Sequence, residues 1–278
     1  MDELKAGDIG WAMFDITPFY AQSGGQTGDS GEVESIADVF DTQKFYGLNL
    51  SHLRLNRNLK IGDIVGLKVS EEREQIARHH SATHLLHAAL RAVLGAHIAQ
   101  AGSLVEADRL RFDFSHPKAL SDEELAKIEE FVNNAVCKGC AAKTEIMDID
   151  DAKNSGAIAL FGEKYGSKVR VVSFGEISKE LCGGIHVRNL SEIGPFFIVK
   201  ESGVSAGVRR IEAVCSRAAL NLALQNRAKL AEISAELKGI EPLRAIEKLK
   251  DEIRSLKDQI KHASSSHALA FLNVGDTK

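Results

Sequence analysis

Gln75-Ile76-Ala77-Arg78-His79-His80-Ser81-Ala82-Thr83-His84-Leu85-Leu86-His87-Ala88-Ala89-Leu90 is the stretch on which the fold turns. From Glu71 to Leu94 the apolar residues follow a helical period. Leu85, Leu86, Ala88, Ala89 and Leu90 make this helix apolar nearly all round, and such a helix is buried. His80 and His84 stand at i and i+4, so their imidazoles project from one face about one turn apart. Neutral imidazoles inside a protein need partners, and a metal ion supplies one. A pair with the same spacing lies far along the chain, in Cys182-Gly183-Gly184-Ile185-His186. Its glycines predict a tight turn that lets backbone approach a ligand closely. His80, His84, Cys182 and His186 together are a donor set suited to one zinc ion. Four protein donors make a closed, structural-type site, whereas a catalytic zinc keeps one position open. The spacing leaves both arrangements open, and if one ligand is dispensable it is His186.

Outward from this core, residues 1–70 alternate short apolar runs with glycine and turn residues. Gly10 to Ile16, Gly31 to Phe40, Gly47 to Leu55 and Ile64 to Val69 are predicted strands, together a small barrel-like or curled sheet. Ser121-Asp122-Glu123-Glu124 reads as a capping signal for a second helix through Val136. Val169 to Phe174 and Phe196 to Lys200 are strand-like. Helices and strands without regular alternation predict an α+β core over 71–215. In 216–262 the apolar positions Leu230, Ile233, Leu237 and Ile240, then Ile246, Leu249, Ile253, Leu256 and Ile260, are spaced as coiled-coil seams. Gly239 and Pro242 interrupt them, which predicts an antiparallel helical hairpin. In 263–278, Ser264 to Ser266 read as a linker and Ala268 to Val274 as a strand.

The composition, 44% hydrophobic and 27% charged, is that of an ordinary globular protein. No apolar run reaches the ~20 residues that span a bilayer, no secretory signal opens the chain, and four cysteines are too few for a disulfide framework in 278 residues. The expectation is a cytoplasmic protein with no membrane partner. A net charge of −4 argues against a uniformly basic nucleic-acid binder. A local patch is on offer in Lys164, Lys168, Arg170, Lys179, Arg188, Lys200, Arg209 and Arg210. Gly24-Gly25 is not a phosphate loop, because no Gly-Lys-Ser/Thr follows. Cys137-Lys138-Gly139-Cys140 lacks a second pair at zinc-finger spacing and reads as incidental. His87 shares the face of His80 and His84 and is expected behind the metal site, while His79 points elsewhere.

Five blocks, in order, carry a resemblance. They are Thr17-Pro18-Phe19-Tyr20-Ala21-Gln22-Ser23-Gly24-Gly25-Gln26-Thr27-Gly28-Asp29, Arg78 to His87, Leu160-Phe161-Gly162-Glu163-Lys164-Tyr165-Gly166, Glu180 to Val187, and Gly207-Val208-Arg209-Arg210-Ile211-Glu212-Ala213-Val214. Together they resemble the editing domain of alanyl-tRNA synthetase, over about residues 10–215. The threonyl-tRNA editing domain shares both ligand spacings, but the glycine-rich block favours the alanyl family. The resemblance implies hydrolysis of the ester joining serine or glycine to the terminal ribose of alanine tRNA. An alanine-activating site discriminates against glycine or serine by only ~1–3 kcal/mol, so a second, hydrolytic site is needed. It implies one zinc per chain on His80, His84, Cys182 and His186. Thr17, Gln26 and Gln100 become candidates for reading the serine hydroxyl or orienting water, and Arg209 and Arg210 for holding acceptor-stem phosphates. Ile185 departs from the family, which usually has threonine there. The aminoacylation domain would precede residue 1, so the chain reads as a fragment that does not charge tRNA. Self-association is expected through the helical hairpin or a further C-terminal domain. The rival readings are a free-standing deacylase and a non-catalytic zinc module that binds tRNA.

Overall fold

The computed structural model describes residues 3–159 and 166–272. The block from Leu160 to Tyr165, with Lys164, lies outside them. The chain divides into two compact units, Met1–Leu220 and Asn221–Lys278.

The first unit opens with β1 (Glu3–Leu4), β2 (Ile9–Ala12), β3 (Gly31–Val33), β4 (Ala37–Phe45), β5 (Leu48–Leu55), β6 (Leu59–Lys60) and β7 (Leu67–Val69). Each of the four predicted stretches contains a strand, but Gly31 to Phe40 is divided between β3 and β4 by a turn, only Gly10 to Ala12 and Leu67 to Val69 of the outer two are extended, and the barrel does not close. The five-stranded sheet runs β2-β5-β4-β3-β7, so β2 and β7 remain edges, and β1 pairs only with β6. Alternation decides which face is inside: Ala37, Val39, Leu53 and Leu55 point to a small core with Phe19 and Val33, while Asp38, Phe40 and Arg54 point outward. Inward alternation specifies a half-buried sheet but not closure, because closure depends on strand tilt and stagger that no single strand encodes.

The second part of this unit holds α1 (Glu72–Leu94), β8 (Gln100–Val105), β9 (Leu110–Ser115), α2 (Asp122–Lys138), β10 (Ala142–Asp148), α3 (Ile149–Asn154), β11 (Lys168–Phe174), β12 (Ser178–Leu181), β13 (Phe196–Ser205) and β14 (Val208–Cys215). Two antiparallel sheets result, β13-β14-β9-β8 and β10-β11-β12. The helix α1 packs on α2, β8, β9, β12 and β14, which explains its apolar circumference. Leu85, Leu86 and Leu90 are fully buried with Phe112, Phe114, Ile128, Phe174 and Phe196. Each such side chain contributes roughly 1.5–3 kcal/mol by leaving water. α2 starts where predicted, with Ser121 and Glu124 capping each other's backbone reciprocally.

His79 is a structural residue, as its off-face position suggested. Its Nδ1 lies 3.0 Å from the Gln75 carbonyl, and its Nε2 accepts the Cys215 N–H at 3.1 Å. Burial lowers its pKa to about 4, and only the neutral ring with its proton on Nδ1 serves both contacts.

The second unit contains most of α4 (Ser216–Glu236) and all of α5 (Pro242–Leu272), broken where Gly239 takes φ 78°. The two helices and their break agree with the sequence. A hairpin sealed by its own seams does not form: Leu230, Ile233, Ile246, Leu249, Ile253 and Leu256 are all exposed. The seam spacing demands an apolar neighbour without saying which one. Ser264 to Ser266 are not a linker, since α5 runs through them, and Ala268 to Leu272 continue the helix instead of starting a strand. Residues 273–278, the rest of that expected strand, lie outside the described residues.

Candidate metal centre and its cavity

Three separate segments build the centre. The buried face of α1 presents His80 and His84. The turn after β12 presents Cys182 and His186, and Arg170 of β11 pins it by donating from Nη1 to the Cys182 and Gly184 carbonyls, each at 2.8 Å. The glycine-rich loop from Tyr20 to Gly28 docks on the edge of β8, where Val105 N–H donates to Gly25 O at 2.8 Å and Thr27 N–H to Val105 O at 3.1 Å. Gly25 is required there, because a Cβ would lie 2.5 Å from the Ser103 carbonyl oxygen and φ is +84°.

The donor atoms of His80, His84, Cys182 and His186 all lie within 4.8 Å of one another. Cys182 Sγ is 3.4 Å from His80 Nε2 and 3.2 Å from His186 Nε2. Donors on a tetrahedral zinc, with bonds of roughly 2.0–2.3 Å, stand about 3.3–3.8 Å apart, so the spacing fits. The outer nitrogens agree. His80 Nδ1 is 2.8 Å from Gln26 Oε1, His186 Nδ1 is 3.0 Å from Ser81 Oγ, and His84 Nδ1 is 3.6 Å from Glu180. The His80 and His186 rings are therefore held from behind with Nε2 turned to the thiol, the arrangement that fixes metal-ligating histidines, while His84 Nδ1 faces the Glu180 carboxylate beyond hydrogen-bond range. The same groups clamp the turn: Ile185 N–H donates to Gln26 Oε1 at 2.9 Å and Val187 N–H to Ser81 Oγ at 3.1 Å.

The electrostatics suit a cation. Burial opposes ionisation of Cys182, yet the imidazoles of His80 and His84 and the hydrogen bond from His186 hold the thiol well below its usual range. Burial disfavours a charged His84, but Glu180 and Cys182 outweigh it and raise the pKa to about 9. Burial, reinforced by His80 and His84, lowers His186 to about 3. Glu180 is buried and also meets His87 Nδ1 at 3.0 Å, so the carboxylate ties both histidines. Burial raises the Glu180 pKa, but His84 and His87 outweigh it and hold the carboxyl below its usual range. Replacing Glu180 by glutamine keeps the shape and removes the charge. Zinc affinity of Glu180→Gln, measured by chelator competition, should fall about 10- to 100-fold with the fold retained.

A cavity of about 260 Å³ opens over the cluster. His80, His84 and Cys182 line it with Thr83, Gln100, Ser103 and Tyr20. Of the residues expected to act on substrate, Gln100 alone is on this wall. Gln26 is fully buried behind His80, its oxygen committed to that ring and to Ile185 N–H. Thr17 lies outside the cavity lining and accepts Phe19 N–H at 3.1 Å, closing a turn. Arg209 and Arg210 are not free cations. Arg209 grips Glu201 at 2.5 and 2.6 Å, and Arg210 grips Asp113 at 2.6 and 2.7 Å. Cys137 is exposed on α2 and Cys140 half-buried beyond it, both apart from the cluster. Sequence reasoning missed Thr83, Ser103, Ser81 and Glu180. Two signals existed: Thr83 is i−1 to His84 on the ligand helix, and Glu180 precedes Cys182 at strand spacing.

A four-donor cluster that could hold a metal ion, set on an α+β core against a docked glycine-rich loop, marks the chain as a candidate metal-binding domain. Residues 169–212 match the family described as threonyl and alanyl tRNA synthetase second additional domain. Residues 1–73 match the class II (A) tRNA synthetases. The chain is similar along almost its whole length to alanine–tRNA ligases. It is 58% identical over 264 residues to that of Sulfurimonas denitrificans, covering 95% of this chain and 31% of the relative. It is 56% identical over 260 residues to that of Campylobacter jejuni, covering 93% and 31%. It is 52% identical over 285 residues to that of Wolinella succinogenes, covering 100% and 33%. The chain belongs to the alanyl-tRNA synthetase family and spans about a third of the length of the curated relatives it matches. Among the described residues no helix is long and apolar enough to cross a membrane.

Proposed function

We propose that the chain hydrolyses the ester joining serine or glycine to the terminal ribose of alanine tRNA. The observation that carries this reading is the His80–His84–Cys182–His186 cluster at the base of a cavity lined by Thr83, Gln100 and Ser103. In the reaction water adds to the ester carbonyl, the bond to the ribose oxygen breaks, and that oxygen takes up a proton. Zinc bound by the cluster would supply a fixed positive charge beside the ester, and would act as a Lewis acid on the carbonyl only with one of the four donors displaced. The chain's own residues do the rest. Gln26, Ser81 and Glu180 hold the three imidazoles in register. Gln100 orients water or the substrate amine. Thr83, whose hydroxyl already donates to the His79 carbonyl at 2.9 Å, can still accept from the serine hydroxyl, and Ser103 offers a second hydroxyl that an alanine leaves without its substrate partner, at a cost of about 1–3 kcal/mol. Thr17 shapes the loop that carries Tyr20 to the cavity wall.

The experiment is incubation of the protein with Ser-, Gly- and Ala-tRNA of the alanine acceptor, following amino acid release. Serine should leave about 10- to 100-fold faster than alanine. Equal rates would remove the polar pocket from the account. The closed four-donor set favours one rival, a zinc module without catalysis. Stoichiometric zinc with no release of any amino acid would establish that rival and refute hydrolysis.

A further inference from the structure

Arg73 stands in the first turn of α1, where the helix dipole disfavours a cation. Its partner, Asp29, is also out of place. Asp29 is 1% exposed, and its Oδ1 is buried without a hydrogen-bond partner. Oδ2 instead accepts Tyr20 N–H at 2.6 Å, Arg73 Nε–H at 3.0 Å and a further donor from Arg73 Nη2. The same Nη2 also donates to the Pro18 carbonyl. A buried ion pair is often no more stable than packed apolar groups of its size, so stability alone is a poor reason for this one. Its placement supplies a better reason. Arg73, His80 and His84 stand at i, i+7 and i+11, within about 40° of one another around α1. The glycine-rich loop grips this row twice. Asp29 holds Arg73 and, three residues earlier, Gln26 Oε1 holds His80 Nδ1 at 2.8 Å. Seven helical residues rise about 10.5 Å, which matches the reach of three extended residues, about 10 Å. The two grips thus keep loop and helix in one register. Asp29 also closes the loop at its base, because its N–H donates to Tyr20 O at 2.9 Å. Between those two residues lie Ser23 and Gly24 of the cavity wall, and Gln26 itself.

We propose that Arg73 and Asp29 are positioning residues for the metal centre, a latch that fixes the glycine-rich loop in register with the ligand helix. The latch acts at one remove, through Gln26. Gln26 Oε1 meets His80 Nδ1 and the Ile185 N–H, so a loop held in place sets both the His80 ring and the turn that carries Cys182 and His186. A loop released at Asp29 withdraws Gln26 from both. The inference rests on the cluster's being a metal site, as read above, and not on hydrolysis.

The test is a double-mutant cycle in the 278-residue protein. Zinc affinity is read by chelator competition, and the cobalt-substituted site by its visible absorption bands. Arg73→Met keeps the aliphatic stem and removes the contacts to Asp29 and Pro18. It should weaken zinc binding about 2- to 30-fold, the range for a residue that acts on a site through others, and shift the cobalt bands. Arg73→Lys, which keeps the charge, should recover most of that loss. Gln26→Ala should cost about 10- to 100-fold, as the loss of a ligand's outer partner does. Added to Gln26→Ala, Arg73→Met should cost nothing more, because the path is already cut. Arg73→Met leaves Asp29 buried and unpaired, so the cycle is repeated with Asp29→Asn in the same chain to remove that charge. Additive losses in both cycles overturn the proposal, since they would make the pair a general support of the fold. So does a lowered Tm in Arg73→Met with parent-like zinc affinity and cobalt bands. A parent protein that binds neither metal refutes the metal reading and this inference with it. Metal bound without release of any amino acid refutes hydrolysis alone and leaves the latch standing.

Discussion

Gly184→Ala should abolish tight zinc binding and serine release, while Gly183→Ala leaves zinc binding within about twofold. The two glycines are neighbours in the same turn, yet their surroundings differ completely. A Cβ on Gly184 would lie 2.0 Å from His80 Cε1, 2.5 Å from His80 Nδ1 and 2.7 Å from Gln26 Oε1. His80 cannot retreat, because α1 is buried around it and Gln26 holds its ring. Gln26 cannot retreat either, being fully buried under the docked loop. The turn must move instead, and it carries Cys182 and His186 with it. A Cβ on Gly183 meets nothing within 4 Å. Zinc affinity by chelator competition should fall at least about a hundredfold for Gly184→Ala, beyond the loss from removing one outer-shell partner. Far-ultraviolet circular dichroism should be nearly unchanged, since the turn from Cys182 to His186 contains no helix or strand of its own. Parent-like zinc affinity in Gly184→Ala would show that the turn does not lie against His80.

Cys182→Ala should cost about as much, and Cys137→Ala and Cys140→Ala should cost almost nothing in zinc affinity. A thiolate is the strongest zinc donor the chain offers, and the imidazoles around Cys182 favour the thiolate against the opposing effect of burial. Cys137 and Cys140 have the better-known C-x-x-C spacing, but they stand at the exposed end of α2 without histidine neighbours in the cluster. Elemental analysis after dialysis against a weak chelator separates the two assignments. Zinc retained in Cys182→Ala and lost in the Cys137/Cys140 double variant would mean that the site is the wrong one.

The four-donor cluster, which could hold a metal ion, was legible in the sequence for a physical reason. The i, i+4 spacing of His80 and His84 on an apolar helix, and the glycines between Cys182 and His186, are local demands that no packing arrangement can relax. The capping box at Ser121 and the helix break at Gly239 were equally local. The roles of Gln26 and Thr17 were not legible. Both lie in a loop whose position depends on docking to β8, and only that docking turns Gln26 toward His80 and leaves Thr17 to close a turn. Arg209 and Arg210 are a similar case. Their neighbours along the chain suggest a basic patch, but strand pairing sets Arg210 across from Asp113 and brings Glu201 to Arg209.

The sequence by itself determined the α+β class, the buried ligand helix, the four donors and the family. Tertiary structure alone decided that the N-terminal sheet stays open, that the seams of α4 and α5 lie exposed, and which polar groups stand behind each imidazole. Ligand spacing is written into one turn of helix or loop, whereas sheet closure, seam coverage and second contacts depend on where distant segments meet.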